Sequence, residues 1–259
     1  MILDDIAAYT KERVKVLKAH KSLYTVRDEA EGRPEGKDFK AALAQDGLSV
    51  IAELKKASPS KGVIAPDFEQ LYLQKAGAYE AGGAAAISCL TEPKFFLGSD
   101  AYLKAVRKAV ELPILRKDFT VDEYQIYEAK NIGADAVLLI CSLLSEAQLQ
   151  EYLCQAQELG LSALVEAHDA DEVSAALSAG AEIIGVNNRN LKDFSVNPLN
   201  SLRLRENIPQ DKIFVAESGI AKAGDTAGLK AAGVQAVLIG EALMRTNDAA
   251  QFLKEIHDA

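Results

Sequence analysis

From residue 49 onward, short apolar runs alternate with longer amphipathic stretches. The runs are Ser49–Leu54, Ala84–Leu90, Pro113–Arg116, Ala136–Ile140, Ser162–Glu166, Glu182–Val186, Lys212–Ala216 and Ala236–Ile239. Each is rich in Val, Ile and Leu and shows little period-two alternation, the pattern of strands buried on both faces of a parallel sheet. Between them lie segments of helical length: Asp67–Ala81, Ser99–Val110, Val121–Asn131, Ser145–Leu159, Ala170–Ser178, Pro198–Glu206, Ala221–Ala231 and Glu241–His257. Strand–helix alternation repeated eight times predicts a parallel α/β fold. Four helices close on a similar phrase, AGGAAAIS (81–88), IGADAVLL (132–139), AGAEIIGV (179–186) and AGVQAVLI (232–239), each with a glycine suited to a left-handed helix end. No G-x-G-x-x-G follows a strand, which weakens an open dinucleotide-binding sheet, and eight units in roughly 210 residues suit a closed barrel.

The first 45 residues break this rhythm. Leu3–Leu23 reads as one charged helix, and Arg27–Lys40 as a polar stretch punctuated by Gly32, Pro34 and Gly36. Too little of this segment is apolar for it to fold alone, so 1–259 reads as one barrel domain with 1–45 as an extension over its mouth.

Composition narrows the function classes. An apolar content of 49% supports a large core, and a net charge of −9 argues against a nucleic-acid partner. The three cysteines, Cys89, Cys141 and Cys154, form no C-x-x-C pair, so reduced thiols in a cytoplasm are expected rather than disulfides or a metal centre. No apolar run is long enough to span a membrane, and the charged N-terminus lacks signal-peptide character.

Barrel enzymes draw their chemistry from the carboxyl ends of the strands. Here those ends carry Glu53 and Lys55, Thr91 and Glu92, Lys117 and Asp118, Ser142, Glu166 and His168, Asn187, Asn188 and Arg189, Glu217 and Ser218, and Gly240 and Glu241. Gathering lysines and carboxylates on one rim costs desolvation, which favours an enzyme over an inert scaffold. Lys117 is a candidate proton donor or Schiff-base nucleophile with its pKa lowered by partial burial or a neighbouring cation; otherwise it is a salt-bridged rim lysine. Glu166 is a candidate general base with its pKa raised by burial, or a partner for Lys117 or Lys55. His168 reads as a surface histidine in the following loop, and Asp118 as structural. The loop SPSKG (58–62) and the glycines of ESG (217–219) and IGE (239–241) suit a phosphate site. Phe95, Phe96 and Phe119 could wall an aromatic substrate.

Taken together, IAELKKASPSKG (51–62), LTEPKFFLGS (90–99), ILRKDFTVDEYQI (114–126), LVEAH (164–168), IGVNNRNL (184–191), VAESGI (215–220) and IGEALMR (239–245) resemble the motifs of the indole-3-glycerol phosphate synthase family, in order and over residues 4–257. The resemblance implies a TIM (βα)8 barrel, the monofunctional form and no cofactor or metal. It implies that 1-(2-carboxyphenylamino)-1-deoxyribulose 5-phosphate is closed to indole-3-glycerol phosphate with loss of CO2 and water. It implies Lys117 as the acid at the ketone oxygen, Glu166 as acid/base in the dehydration and Lys55 as holder of the anthranilate carboxylate. Glu53 would position the lysines, and Asn187, Arg189, Glu217 and Ser218 would orient the sugar-derived chain. Ser58, Gly219, Gly240 and the backbone of Glu241 would bind phosphate, and Phe96 and Phe119 would face the ring. The expected partner is this phosphorylated small molecule, with a monomer or weak homodimer as the assembly. On so acidic a chain, the expectation is a local positive potential from Lys55, Lys117 and Arg189. Two alternatives remain: another phosphate-binding barrel such as phosphoribosylanthranilate isomerase, which needs a Cys/Asp pair at strand ends, or a non-catalytic metabolite-binding barrel.

Overall fold

The computed structural model describes residues 2–190 and 194–258. Leu191, the last residue of the IGVNNRNL motif, lies outside the described residues.

Eight parallel strands close into a barrel: β1 (Ser49–Leu54), β2 (Ala86–Leu90), β3 (Ile114–Lys117), β4 (Ala136–Ile140), β5 (Ser162–Ala167), β6 (Ile183–Asn187), β7 (Ile213–Glu217) and β8 (Ala236–Ile239). Each pairs with its chain neighbour, and β8 returns to β1 through Ser49 opposite Ala236. The eight apolar runs are therefore these strands, some displaced by a residue or two.

Alternation along each strand sorts the core into two layers. Val50, Ala52 and Leu54 face outward with Ile87, Cys89, Val165 and Phe214 against the helices. Ile51, Leu115, Leu138, Leu164, Ile183, Val215 and Leu238 fill the barrel interior. Following the inward parity toward the carboxyl end places the chemistry. Ile51 leads to Glu53, Leu115 to Lys117, Leu164 to Glu166, Val215 to Glu217, and Ile183 through Gly185 to Asn187. Several runs extend one residue further than the hydropathy suggested, because Lys117, Asn187 and Glu217 are themselves the last residues of their strands.

The outer helices are α4 (Phe68–Ala81), α5 (Asp100–Ala109), α6 (Tyr124–Ile132), α7 (Glu146–Glu158), α8 (Ala170–Ser178), α9 (Leu199–Leu204), α10 (Ala227–Ala231), α11 (Glu241–Arg245) and α12 (Ala249–Asp258). Gly133, ending α6, has φ of 93°, the left-handed conformation that the repeated phrase predicted. The expected helix Glu241–His257 is two helices: Thr246 ends α11, and Asp248 accepts from the Gln251 N–H at 2.9 Å to start α12. The Ala221–Ala231 segment is likewise divided, with a 3-10 turn at Ala223–Thr226 before α10.

The extension also differs from expectation. Helix α1 (Ile2–His20) stops short of Leu23, and a second helix α2 (Leu23–Glu31) occupies much of the stretch read as irregular. The Ser22 hydroxyl caps it by accepting from the Thr25 N–H at 3.1 Å. Its apolar Val26 and Ala30 pack on Tyr124 and Tyr127 of α6, a pairing hidden in the sequence by intervening charges. A short α3 (Phe39–Leu43) buries Phe39 and Leu43 in the interior cluster beneath the strands. Helix α1 runs on the opposite side, at the carboxyl rim, where Arg13 donates to Asp118 at 2.7 Å and Ile2, Leu3 and Ile6 line the cavity. Among the described residues, no helix is long and apolar enough to cross a membrane.

Candidate active site

A cavity of about 750 Å³ opens at the carboxyl ends of the strands. All fourteen candidate residues line it: Glu53, Lys55, Ser58, Phe96, Lys117, Phe119, Glu166, Asn187, Arg189, Glu217, Ser218, Gly219, Gly240 and Glu241. The floor is apolar, with Leu138, Ile140 and Leu238, and α1 contributes one wall.

Two lysines and three carboxylates form the polar centre. Lys117 donates to Glu166 at 2.9 Å and to Glu217 at 3.2 Å, and Lys55 donates to Glu53 at 2.6 Å. Burial alone would push the Lys117 ammonium down, but Glu166, Glu217 and Glu53 outweigh it and hold the ammonium above its ordinary range. This reverses the lowered pKa expected from the sequence. A lysine held protonated is a poor nucleophile, which speaks against a Schiff base. Glu166 also departs from expectation. Burial favours its neutral form, yet Lys117, then His168, and a hydrogen bond from Asn187 at 3.1 Å hold the carboxyl below the usual range. At rest Glu166 is therefore a carboxylate ready to accept a proton.

Glu217 is the carboxylate in surplus. Its Oε1 is buried with no hydrogen-bond partner, and burial pushes its carboxyl above the ordinary range despite Lys117. The folded state then binds this proton more tightly than the unfolded state, so stability falls as pH rises from the carboxylate range toward neutrality. Glu217→Gln is expected to raise stability at pH 8 by about 1–3 kcal/mol, an advantage that shrinks below pH ~4. Thermal unfolding at the two pH values checks it; an equal shift at both would contradict the assignment.

Glycine is required where these groups need room. A Cβ at Gly185 would fall within contact of Glu217 Oε1 and 3.2 Å from Leu164 Cδ1. One at Gly240 would collide with Glu53 Oε1 and lie 2.8 Å from Lys55 Nζ. Gly240 has φ of −113°, so close packing against that ion pair, and not a left-handed backbone, explains the glycine. Gly219 differs: its φ is 89°, and Ser218 before it is also left-handed at 67°, as are Leu97 and Phe194 in the loops after β2 and β6.

The remaining walls follow from local structure. Residues Ala57–Ser58 and Gly62–Val63 form a small hairpin after β1 that brings Ser58 to the cavity. Lys61 on its tip lies 3.7 Å from Glu241 across the opening, and Glu241 also accepts from Arg245 at 3.1 Å. The Glu241 carboxylate is thus turned toward cations while its backbone starts α11. Phe96 and Phe119 stand 5.7 Å apart between ring centroids. Glu92, fully buried, accepts from the N–H groups of Lys94, Phe95 and Phe96 and so shapes the loop presenting Phe96. Arg189 donates to the Phe194 carbonyl at 3.1 Å.

Counted by formal charge, the cavity lining is balanced and not predominantly positive as expected. Lys55, Lys61, Lys117, Arg189 and Arg245 meet Glu53, Asp118, Glu166, Glu217 and Glu241. Sequence reasoning missed Lys61 and Arg245, although Lys61 lay within the quoted SPSKG loop. Asp118 accepts from Arg13, Thr91 and the Phe119 N–H, in keeping with a structural part. Buried Arg116 ties Asp100 and Glu128 to β3. His168 is not a surface residue; its imidazole lies behind Glu166. Among the described residues, no three His, Cys, Asp or Glu side chains are grouped as a metal ion would require.

A family model for indole-3-glycerol phosphate synthase matches residues 3–256. The chain belongs to the indole-3-glycerol phosphate synthase family. Its relatives of that name include one from Ruminiclostridium cellulolyticum, 56% identical over 250 residues that cover 96% of this chain and 95% of the relative. Another, from Endomicrobium trichonymphae, is 54% identical over 260 residues and covers both chains fully. The 3-hexulose-6-phosphate synthase of Salmonella typhimurium shares the barrel at 17% identity and a TM-score of 0.65, covering 82% of this chain and 97% of its own. Membership in the synthase family makes this chain a carboxy-lyase of tryptophan biosynthesis, with a phosphorylated small molecule as its substrate.

Proposed function

We propose that the residues of this cavity divide the conversion of 1-(2-carboxyphenylamino)-1-deoxyribulose 5-phosphate to indole-3-glycerol phosphate as follows. Lys117 gives a proton to the ketone oxygen as the ring carbon attacks, and its charge stabilises the developing alkoxide. Lys55, steadied by Glu53, holds the carboxylate that leaves as CO2. The hydroxyl then leaves as water, taking a proton from an ammonium of this lysine pair, while Glu166 accepts the proton lost from the adjacent ring carbon and the indole becomes aromatic. Asn187, Arg189, Glu217 and Ser218 orient the hydroxylated chain, and Phe96 and Phe119 face the aromatic ring. Ser58, Gly219, Gly240 and the Glu241 N–H receive the phosphate, with Lys61 and Arg245 as nearby cations. No metal or other cofactor enters this scheme.

The observation that carries the proposal is the Lys117 ammonium held between two buried carboxylates at 2.9 and 3.2 Å, one of them ionised and able to act as base. Neither Cys89 nor Cys141 lines the cavity, which speaks against a Cys/Asp isomerase. Burial pushes the Cys89 thiol far up and the Cys141 thiol to about 12, so neither is a ready proton acceptor.

Of the first 45 residues, expected as a whole to cover the mouth, α1 is the part that serves as the cover to a single barrel, a role supported by Ile2, Leu3 and Ile6 in the cavity wall, while α2 packs on α6 and α3 lies beneath the strands. The chain works as a monomer or weak homodimer in the cytoplasm, without nucleic-acid or membrane partners; the net charge of −9 and three free cysteines support this. The direct test is conversion of the carboxyphenylamino substrate by the purified chain, followed as indole fluorescence.

A further inference from the structure

Glu166 is reached from two sides. Oε2 faces the main cavity and Lys117. Oε1 faces the other way, toward Asn187 and the Nε2 of His168 at 3.5 Å. That ring is braced from behind. Its Nδ1 lies 3.1 Å from Glu172 Oε2, which also accepts from the His168 N–H at 2.8 Å. The Asp169 side chain fixes Glu172 in turn by accepting from its backbone N–H at 2.9 Å. Nε2 is buried and has no hydrogen-bond partner, so the one polar atom of the ring left over is aimed at the catalytic carboxylate. A second cavity, of about 530 Å³, lies on this side, lined by His168, Glu172 and Asp169 and sharing Leu3 and Asn187 with the first.

We infer that His168, braced by Glu172, is a positioning residue for Glu166: it holds Oε1 from the side cavity, leaves Oε2 to the substrate and Lys117, and by its charge keeps the carboxylate ionised. The inference rests on Glu166 being the base of the proposed reaction. Lys117, Glu166, His168 and Glu172, in that order, form a chain of alternating cation and anion. The other charged groups near the imidazole are Glu217 on β7, Asp169 at the start of α8 and Asp4 of α1, which also lines the side cavity. All are acidic and favour the imidazolium. Burial works against that form, but Glu172 and Glu166 outweigh it and raise the His168 pKa.

Two readouts test this. The chain has three histidines, His20, His168 and His257, so each ring is resolvable in an NMR titration. Glu166→Gln or Glu172→Gln should each lower the apparent pKa of His168 by ~1 unit. An unchanged titration in Glu166→Gln would overturn the coupling, whatever the enzyme activity. In steady-state kinetics, His168→Asn should move the acid limb of kcat upward by ~1 pH unit with KM changed less than threefold, because Glu166 then takes up its proton earlier. Glu172→Gln, which keeps a hydrogen-bond acceptor for the ring, should give a smaller shift in the same direction. A uniform fall in kcat at every pH would mean a merely structural part and would overturn the inference. Absence of turnover in the parent chain would instead sink the proposed reaction, and the NMR coupling would still be read.

Discussion

Lys117→Ala is expected to lower kcat by ~10³-fold or more while leaving substrate binding within a few-fold of the parent. The expectation follows from the ion pairs at 2.9 and 3.2 Å, which place a protonated, desolvated amine where negative charge must develop. Stability suffers as well, because Glu53, Glu166 and Glu217 lose the ammonium that lies between them. Removing one partner from a buried pair typically costs about 3–5 kcal/mol. Glu217 limits that loss. Its carboxyl already sits above the ordinary range, so it can take up a proton and relieve the repulsion. The variant should therefore be closer to the parent in stability at pH 6 than at pH 8. Lys117→Arg separates acid from electrostatic contributions: it restores charge, but a guanidinium releases its proton too reluctantly to serve as an acid. Full activity in Lys117→Arg would contradict proton donation; full activity in Lys117→Ala would contradict any role in chemistry. Stopped-flow turnover with equilibrium binding of the unreacted substrate measures both quantities.

The second large effect concerns Glu166. Glu166→Gln preserves shape and can still accept from Lys117, but it cannot take a proton. Turnover to indole should fall by ~10²–10³-fold with KM nearly unchanged. In the proposed scheme ring closure and decarboxylation depend on the lysines, so CO2 should appear before indole fluorescence in a single turnover. Equal slowing of CO2 and indole would place Glu166 at an earlier step. The direction of the Glu166 shift is central here, since a carboxyl held below its usual range begins the cycle as a base.

Much of this was legible in the sequence because strand geometry is simple. Buried parallel strands appear as short Val/Ile/Leu runs, and the residues at their carboxyl ends are those that line the mouth. The motifs around Lys55, Lys117 and Glu166 therefore fall on the rim by strand pattern alone. Charge states were not legible in the same way. Lys117 and Glu166 are both shifted opposite to the expectation from burial, chiefly because they face each other across 49 residues of chain and Lys117 also meets Glu217, 100 residues away. The partner of His168 across the strand end was hidden for a related reason. Reading LVEAH as strand then loop sends the ring outward, whereas Glu172, one helical turn on, draws it back against Glu166. The division of the extension into α1, α2 and α3 escaped the pattern too. Its apolar residues are few and pair with α6 or the barrel floor, not with one another.

The central claim is that this cavity closes an indole ring. Purified protein mixed with 1-(2-carboxyphenylamino)-1-deoxyribulose 5-phosphate should develop indole fluorescence, with one CO2 released for each substrate consumed. Intact substrate and no gain in fluorescence, under conditions where the protein is folded, would contradict the account.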